Sequence, residues 1–370
     1  MQFRAALGTE NSLSFDSHGL KPGHFPDSAA RLKPCPSRRR SRICCIFCAR
    51  KSRFLAALRN DNTLRILMPS NPSELEFVPA MSSIAREAGA LLMEYFRRRV
   101  KIEYKGEADL VTEADRNSEA LVVGRIRELF PTHSILGEES GNLAASQGSV
   151  AGTKNAGYHW YVDPLDGTTN FAHGYPVFCV SLGLEHTDAA GVAKRVAGVV
   201  YDPTRDELFS AELGRGAYLN GVKTNVSATS RLSECLIATG FPSQKRHKNP
   251  NIHFYHQLTM KTHGVRRAGS AALDLCYVAC GRYDGFWEFN LNPWDTAAGV
   301  LIAEEAGGRV TDFAGGPFDI ASREVFATNG LVHDALKQEF AEIFAGRGLE
   351  PLPSPVEYAD SSLAGAKPRP

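Results

Sequence analysis

Apolar residues recur at helical spacing from residue 73 to 98, at Phe77, Ile84, Ala88, Leu91, Leu92 and Tyr95, with Arg86, Glu87 and Arg97 to Arg99 pointing elsewhere. This pattern predicts an amphipathic helix lying on a core. After a loop at 105–109, a second helix carries Leu121, Val122, Ile126 and Leu129 and ends at Pro131, with Asp115 in its opening turns. The chain then turns β-rich. Short strands are expected at 133–137, at 158–163 with an abrupt stop at Asp163, and at 177–185, 196–202 and 207–212. The polar, small-residue stretch 141–157 is expected to be a surface loop. Asn220-Gly221 is a hairpin signal, so Gly214 and Gly216 belong to that hairpin and not to a dinucleotide-binding loop. A helix follows Gly269-Ser270, and another opens at Asn292-Pro293-Trp294-Asp295 and ends at Gly307-Gly308. Strands at 284–289, 309–313 and 324–328 and a last helix at 331–344 complete the pattern, without an internal repeat.

Composition sharpens the boundaries. The 370 residues are 43% hydrophobic and 22% charged, as in a globular enzyme of one large or two smaller domains. The formal charge of +1 hides an asymmetry, because residues 1–67 hold 13 of the 42 basic and 4 of the 41 acidic residues. The remaining 29 basic and 37 acidic residues leave 68–370 at net −8, which argues against a general polyanion binder. Residues 1–67 lack periodicity and are rich in Ser, Arg and Pro, so they are expected to be a disordered extension. It would be an organelle transit peptide (placing the protein in a plastid), an interaction tail, or sequence upstream of a true start at Met68. A catalytic domain is expected at 68–345 and a disordered Pro-rich tail at 346–370. No apolar run approaches the roughly 20 residues that span a bilayer, and a cytoplasmic protein with no membrane partner is expected. Cys179, Cys235, Cys276 and Cys280 fall in apolar stretches, as reduced core thiols do. Cys35, Cys44, Cys45 and Cys48 lack a second ligand pair at finger-like spacing.

The chemistry centres on Asp163-Pro164-Leu165-Asp166-Gly167-Thr168-Thr169-Asn170-Phe171. Two carboxylates at a strand end, in front of a short helix start, offer oxygen ligands to a hard cation such as Mg²⁺ and backbone N–H groups to a phosphate. Glu138, next to the end of the preceding strand, gains weight because two neighbouring strands ending in acids would converge on one ion. Asp115 and Asp295, each in a helix start, are by themselves ordinary dipole-favoured acids. No G-x-S-x-G elbow occurs, and Thr168 has no adjacent base other than an acid.

Gly137-Glu138-Glu139-Ser140, the Asp163 to Phe171 stretch, and Trp294-Asp295-x-Ala297-Ala298-Gly299 with Glu305-Ala306-Gly307-Gly308, in this order, resemble the inositol monophosphatase family of Mg²⁺-dependent, lithium-sensitive sugar and nucleotide phosphatases. The resemblance runs from about residue 77 to about 345. It implies an α+β fold, a five-layer α-β-α-β-α sandwich of the sugar phosphatase type, and a homodimer. It further implies that Glu138, Asp163, Asp166, Asp295 and the carbonyl of Leu165 ligate two or three Mg²⁺ ions, with Asp163 bridging two. Thr168 and Asp115, with Glu138 as a ligand in the same catalytic set, would activate the water. Gly167 and Thr168 would hold the phosphate through their N–H groups. Glu288 would contact a substrate hydroxyl, with Gly269, Ser270 and Ala271 lining the pocket and Asp166 and Asp295 facing the same substrate.

The function expected on this resemblance is hydrolysis of a small phosphorylated polyol, inositol monophosphate above all, by metal-activated water without a phosphoenzyme. Relatives with similar metal motifs act on histidinol phosphate, fructose 1,6-bisphosphate or 3′-phosphoadenosine nucleotides. A reading from another class is a regulator that binds RNA or the transcription machinery (nucleic acid or polymerase) through the basic loop at 245–248 and Arg266-Arg267.

Overall fold

The computed structural model describes residues 76–98, 103–104, 110–111, 113–146, 157–241, 249–352 and 354, with 103–104 and 110–111 as backbone alone. All lie in the second of two units, which runs from Asn71 to Pro370. The expectations for residues 1–67 and for the basic loop at 245–248 fall outside the described residues.

Helix α1 (Phe77–Arg98) is followed by a small antiparallel ribbon of β1 (Glu103–Tyr104) and β2 (Leu110–Val111), then by α2 (Glu113–Leu129). Next come β3 (Ser134–Gly137), β4 (Gly141–Leu143), β5 (Gly157–Asp166) and the five-residue helix α3 (Thr168–Ala172). A meander of β6 (Cys179–Thr187), β7 (Ala193–Asp202), β8 (Glu207–Glu212), β9 (Gly216–Leu219) and β10 (Val222–Thr224) continues the sheet. Asn220 and Gly221, both at positive φ, make the expected β9–β10 hairpin turn. The remainder is β11 (Leu236–Thr239), α4 (Asn251–Lys261), β12 (Gly264–Arg266), α5 (Ala271–Ala279), β13 (Gly285–Phe289), α6 (Pro293–Glu305), β14 (Arg309–Thr311), β15 (Glu324–Thr328) and α7 (His333–Phe344).

One sheet has eight strands in the order β10-β9-β8-β7-β6-β5-β3-β4, and the other five in the order β12-β11-β13-β15-β14. Period-2 alternation assigns each strand's side chains to two cores. From β6, Val180, Leu182 and Leu184 join the core under α1 and α2, whereas Cys179 faces the core that holds α5 and α6. From the second sheet, Phe286 and Val325 face α5 and α6, while Trp287 and Phe326 face Phe254 of α4 and Phe340 of α7. The layers are therefore α1–α2, sheet, α5–α6, sheet, α4–α7: an α+β five-layer α-β-α-β-α sandwich, as expected.

Three local features depart from the sequence reading. β5 does not stop at Asp163 but continues to Asp166 through a bulge, where Pro164 and Leu165 together face one residue of β6. Proline has no N–H to give to a ladder, and a bulge is where a strand tolerates it. The segment after Ser140 is not all loop, because Gly141–Leu143 pairs antiparallel with β3 as an edge strand. Helix α4 was not signalled because two of its four buried residues, Asn251 and Gln257, are polar and break the apolar stripe. Past α7, Gln257 exchanges two hydrogen bonds with Glu350, 2.7 Å and 2.9 Å, so the last ties of the fold lie beyond residue 345.

His333 opens α7 fully buried, stacked on Phe326 and bonded to the hydroxyls of Thr311 (3.1 Å) and Thr328 (3.0 Å). Burial, assisted by nearby Arg309, pushes its imidazole down to about 4. The unfolded chain then binds the extra proton below the ordinary value of 6.5, so stability is full above 6.5 and lost as pH falls towards 4. A shift of this size is worth about 3 kcal/mol at most. His333→Gln should flatten the pH dependence of the melting temperature between 6.5 and 4, and a slope identical to the parent's would refute the assignment.

Candidate active site

The site forms where β3 and β5 end side by side. They pair in parallel with Gly137 opposite Val162, and the Glu138 N–H donates to the Val162 carbonyl at 3.2 Å, so Glu138 and Asp163 leave the sheet together. Asp163 and Asp166 are three apart and would point to opposite faces of a regular strand. The bulge corrects this. Asp163 pairs with Ser181 and Asp166 with Cys179, two residues apart on β6, so both acids share one face. Asp163 is 2% exposed, and one of its oxygens accepts the Leu165 N–H at 3.0 Å. Burial first, then the charges of Glu138, Asp166 and Asp295, raises its carboxyl well above the usual range.

Helix α6 brings Asp295. It lies so close to the eight-stranded sheet that a Cβ on Gly183 would come within 2.5 Å of Ala297 Cβ, and one on Gly198 within 2.9 Å of the Ala298 carbonyl. Glycine at both positions admits the helix. The Ser181 hydroxyl donates to the Trp294 carbonyl at 3.4 Å, joining the first turn of α6 to the strand position opposite Asp163. Asp295 Oδ2 accepts the Asn292 N–H at 2.7 Å. Burial nonetheless pushes its carboxyl up to about 7, with Asp166 contributing in the same direction.

Helix α5 meets Asp166. Its Oδ2 accepts the Ser270 hydroxyl at 2.8 Å and the Ala272 N–H at 2.7 Å. The same serine caps α5 by accepting from Leu273 N at 3.4 Å and is 1% exposed. Ser270 thus holds Asp166 in place, and its hydroxyl is engaged within the protein. Gly269, with φ +87°, and the buried Ala271 flank it. Burial raises the Asp166 carboxyl, and the bonds from Ser270, Ala272 and Ala271 oppose the rise.

The Thr168 hydroxyl lies 3.1 Å from Asp115 Oδ1 and 3.1 Å from the Leu165 carbonyl. It has one proton for these two acceptors. Asp115 comes from the first turn of α2 and is buried. Gly167 takes φ +100° to start α3, and a Cβ there would press on the Val177 carbonyl at 2.8 Å. With five residues, α3 has little macrodipole, so what it contributes is local N–H groups.

Further residues frame the site, and of these Gly240, Asn251 and Asp274 carry no motif signal. Asn170 is buried, and its amide nitrogen reaches the carbonyls of Val177 (2.8 Å), Ala268 (2.9 Å) and Gly269 (3.3 Å), tying α3 to the entry of α5. Glu288 leans into a notch at Gly240, where a Cβ would lie 2.0 Å from its carboxylate atoms. Gly240 is held in turn by Asn251, whose amide donates to its carbonyl at 2.7 Å while its oxygen accepts from Trp287 Nε1 at 2.7 Å. Burial, then Asp295 and Asp166, raises Glu288 to about 8. Asp274, one turn into α5, is buried without a hydrogen bond to either oxygen. Exposed Arg267 lies at the rim, 3.5 Å from the Phe241 carbonyl.

Asp163 feels the charges of Glu138, Asp166 and Asp295, and the Leu165 carbonyl, two residues on, accepts the Thr168 hydroxyl. Among the described residues no three acidic, histidine or cysteine side chains form a ready-made cage. The fold supplies converging oxygens that repel one another, and a hard divalent cation fits such a donor set because its charge offsets the repulsion.

The layered fold and this carboxylate edge fit a phosphatase. Residues 74–346 match the model of the inositol monophosphatase family. Inositol-1-monophosphatase of Synechocystis is 44% identical over 274 residues, 73% of this chain and 91% of that protein. The Nus factor SuhB of Pseudomonas aeruginosa is 43% identical over 257 residues, covering 68% and 91% respectively. The structure of inositol monophosphatase from Anabaena superposes with a TM-score of 0.62 at 45% identity, covering 75% of this chain and 97% of that one. The chain belongs to the inositol monophosphatase family. Among the described residues no helix is long and apolar enough to cross a membrane.

The Asn170 tie makes a clean test. Asn170→Asp keeps the shape but removes the donor and sets a carboxylate against carbonyl oxygens, so it should cost about 1–3 kcal/mol, read as a lower melting temperature. Unchanged melting would show that the amide is not the tie.

Proposed function

We propose that this phosphatase hydrolyses a phosphorylated polyol, with inositol monophosphate as the leading substrate and Mg²⁺ as its cofactor. The observation that carries this reading is the convergence of Glu138, Asp166 and Asp295 on buried Asp163, next to a Thr168 hydroxyl bonded to a buried acid. Glu138, Asp163, Asp166, Asp295 and the Leu165 carbonyl would hold two or three Mg²⁺ ions. The chemistry Mg²⁺ supplies when bound is neutralisation of phosphate charge and activation of water for attack at phosphorus.

The chain's own groups account for the rest. The Thr168 proton is directed at Asp115 Oδ1 or the Leu165 carbonyl, so its oxygen lone pairs are left to accept from a water and aim it. Asp115 Oδ1 is the acceptor towards which that proton moves. The N–H groups of Gly167 and Thr168 would receive phosphate oxygens. Glu288 would meet a hydroxyl of the alcohol portion. Gly269 and Ala271 would flank that alcohol, and Ser270 would act through Asp166.

The resemblance to a protein named Nus factor SuhB supports a second reading, a partner of RNA or the transcription machinery, with exposed Arg266 and Arg267 as its described basic residues. Phosphate release from a panel of monoesters, with and without Mg²⁺, decides between the two. Turnover of inositol monophosphate should require Mg²⁺ and fall about 10²- to 10³-fold in Asp163→Asn. Full activity in that variant would refute the site, and RNA binding without any turnover would favour the second reading.

Gly240→Ala tests the role of Glu288. The Asn251 bond prevents Gly240 from retreating, so the new methyl must displace the carboxylate. KM for inositol monophosphate should rise about tenfold, the equivalent of one lost contact, while kcat on an aryl phosphate without hydroxyls stays the same. Equal effects on both substrates would remove Glu288 from polyol recognition.

A further inference from the structure

Asp115, Ser118 and Glu119 lie at i, i+3 and i+4 on α2, hence on one face, and all three are buried. Each reaches a different segment of the site. Asp115 meets the Thr168 hydroxyl, Ser118 donates to the Pro164 carbonyl at 3.0 Å, and Glu119 reaches the turn that follows β3. The proposed chemistry does not use Glu119, yet its environment is specific. Its Oε2 accepts the Glu139 N–H at 2.8 Å and its Oε1 the Ser140 N–H at 2.7 Å. Gly137 leaves room for it, since a Cβ there would lie 2.7 Å from Oε2 and 2.9 Å from Cδ.

The backbone around Glu138 is thus fixed on both sides. Before it runs the β3–β5 ladder, which also takes the Glu138 N–H, and after it come the two amides gripped by Glu119. Bonds from backbone N–H to a buried carboxylate are charge-assisted and therefore among the stronger ones. A residue that only stabilised the turn would affect melting and nothing else. A residue that aims Glu138 would affect how tightly a cation is held.

We propose that Glu119 is a positioning residue for the cation site: by clamping the Glu139 and Ser140 amides it fixes the direction in which Glu138 presents its carboxylate beside Asp163. This rests on the reading of Glu138 as a Mg²⁺ ligand. Groups that orient metal ligands typically change affinity 10- to 100-fold when altered.

The test uses the full chain, stripped with chelator, and Mg²⁺ alone as the calorimetric titrant. Glu119→Gln, whose NH₂ must oppose one of the two amides, should weaken Mg²⁺ binding about 10- to 100-fold. Its melting temperature in chelator should fall, as the loss of a buried bond requires, but its KM at saturating Mg²⁺ should not change, and the weakened Mg²⁺ binding is the readout that a merely structural role would not move. Gly137→Ala, which pushes the carboxylate aside without removing it, should act in the same direction. Parent-like Mg²⁺ affinity in either folded variant overturns the proposal. Hydrogen exchange of the parent protein decides the matter even if neither variant folds, because the Glu139 and Ser140 amides must be protected without metal, and unprotected amides overturn the clamp. Asp163→Asn separates the two levels. Normal Mg²⁺ binding there defeats the cation site itself, whereas normal binding in Glu119→Gln alone defeats only the clamp.

Discussion

Everything at this site depends on holding like charges together where water is scarce. A buried carboxylate without a partner is costly, and several at one sheet edge repel one another as well. The fold meets this with short-range donors, one or two for each acid: Leu165 N–H for Asp163, Ser270 and Ala272 for Asp166, Asn292 N–H for Asp295. These bonds orient the acids without cancelling the cost of burying their charge, as the raised carboxyls of Asp163, Asp166 and Asp295 show. The residual repulsion is what makes the edge receptive to cations.

The layered architecture makes such crowding possible. Helices α5 and α6 lie between the sheets, and each contributes its first turn to the carboxylate edge, so the groups that meet there come from segments more than a hundred residues apart in sequence. Close approach is required, and Gly183 and Gly198 allow it. Opposite them α2 serves as a ruler, its Asp115, Ser118 and Glu119 spaced so that one helix face reaches the start of α3, the bulge of β5 and the turn after β3.

Much of this was legible in the sequence. The acids Glu138, Asp163, Asp166 and Asp295 sit in recognisable runs next to strand ends or helix starts; period and punctuation give the individual elements, and the layers follow only from the family resemblance that those runs carry. What the sequence hid was pairwise. Glu119 is, by pattern, one more acid on an amphipathic helix, and nothing local connects it with Glu139 and Ser140 twenty residues later. The notch at Gly240 needs the parallel register of β11 against β13, in which Thr239 lies opposite Trp287, before Glu288 can be seen beside it. Ser270 gave the right neighbourhood but not the contact, since only the structure shows its hydroxyl engaged by Asp166. Helix α4 was masked by its buried Asn251 and Gln257, polar residues that pattern analysis counts as surface.

The bulge at Pro164 and Leu165 turns segment length into a functional quantity. A chain one residue shorter would pair β5 regularly with β6 and would still put both acids on one face. It would also draw every remaining carbonyl into the ladder's rhythm. The extra residue is what leaves the Leu165 oxygen off that rhythm, beside the Thr168 hydroxyl. Deletion at this point would improve the sheet and impoverish the site, so the two residues between Asp163 and Asp166 should tolerate changes of identity better than changes of number.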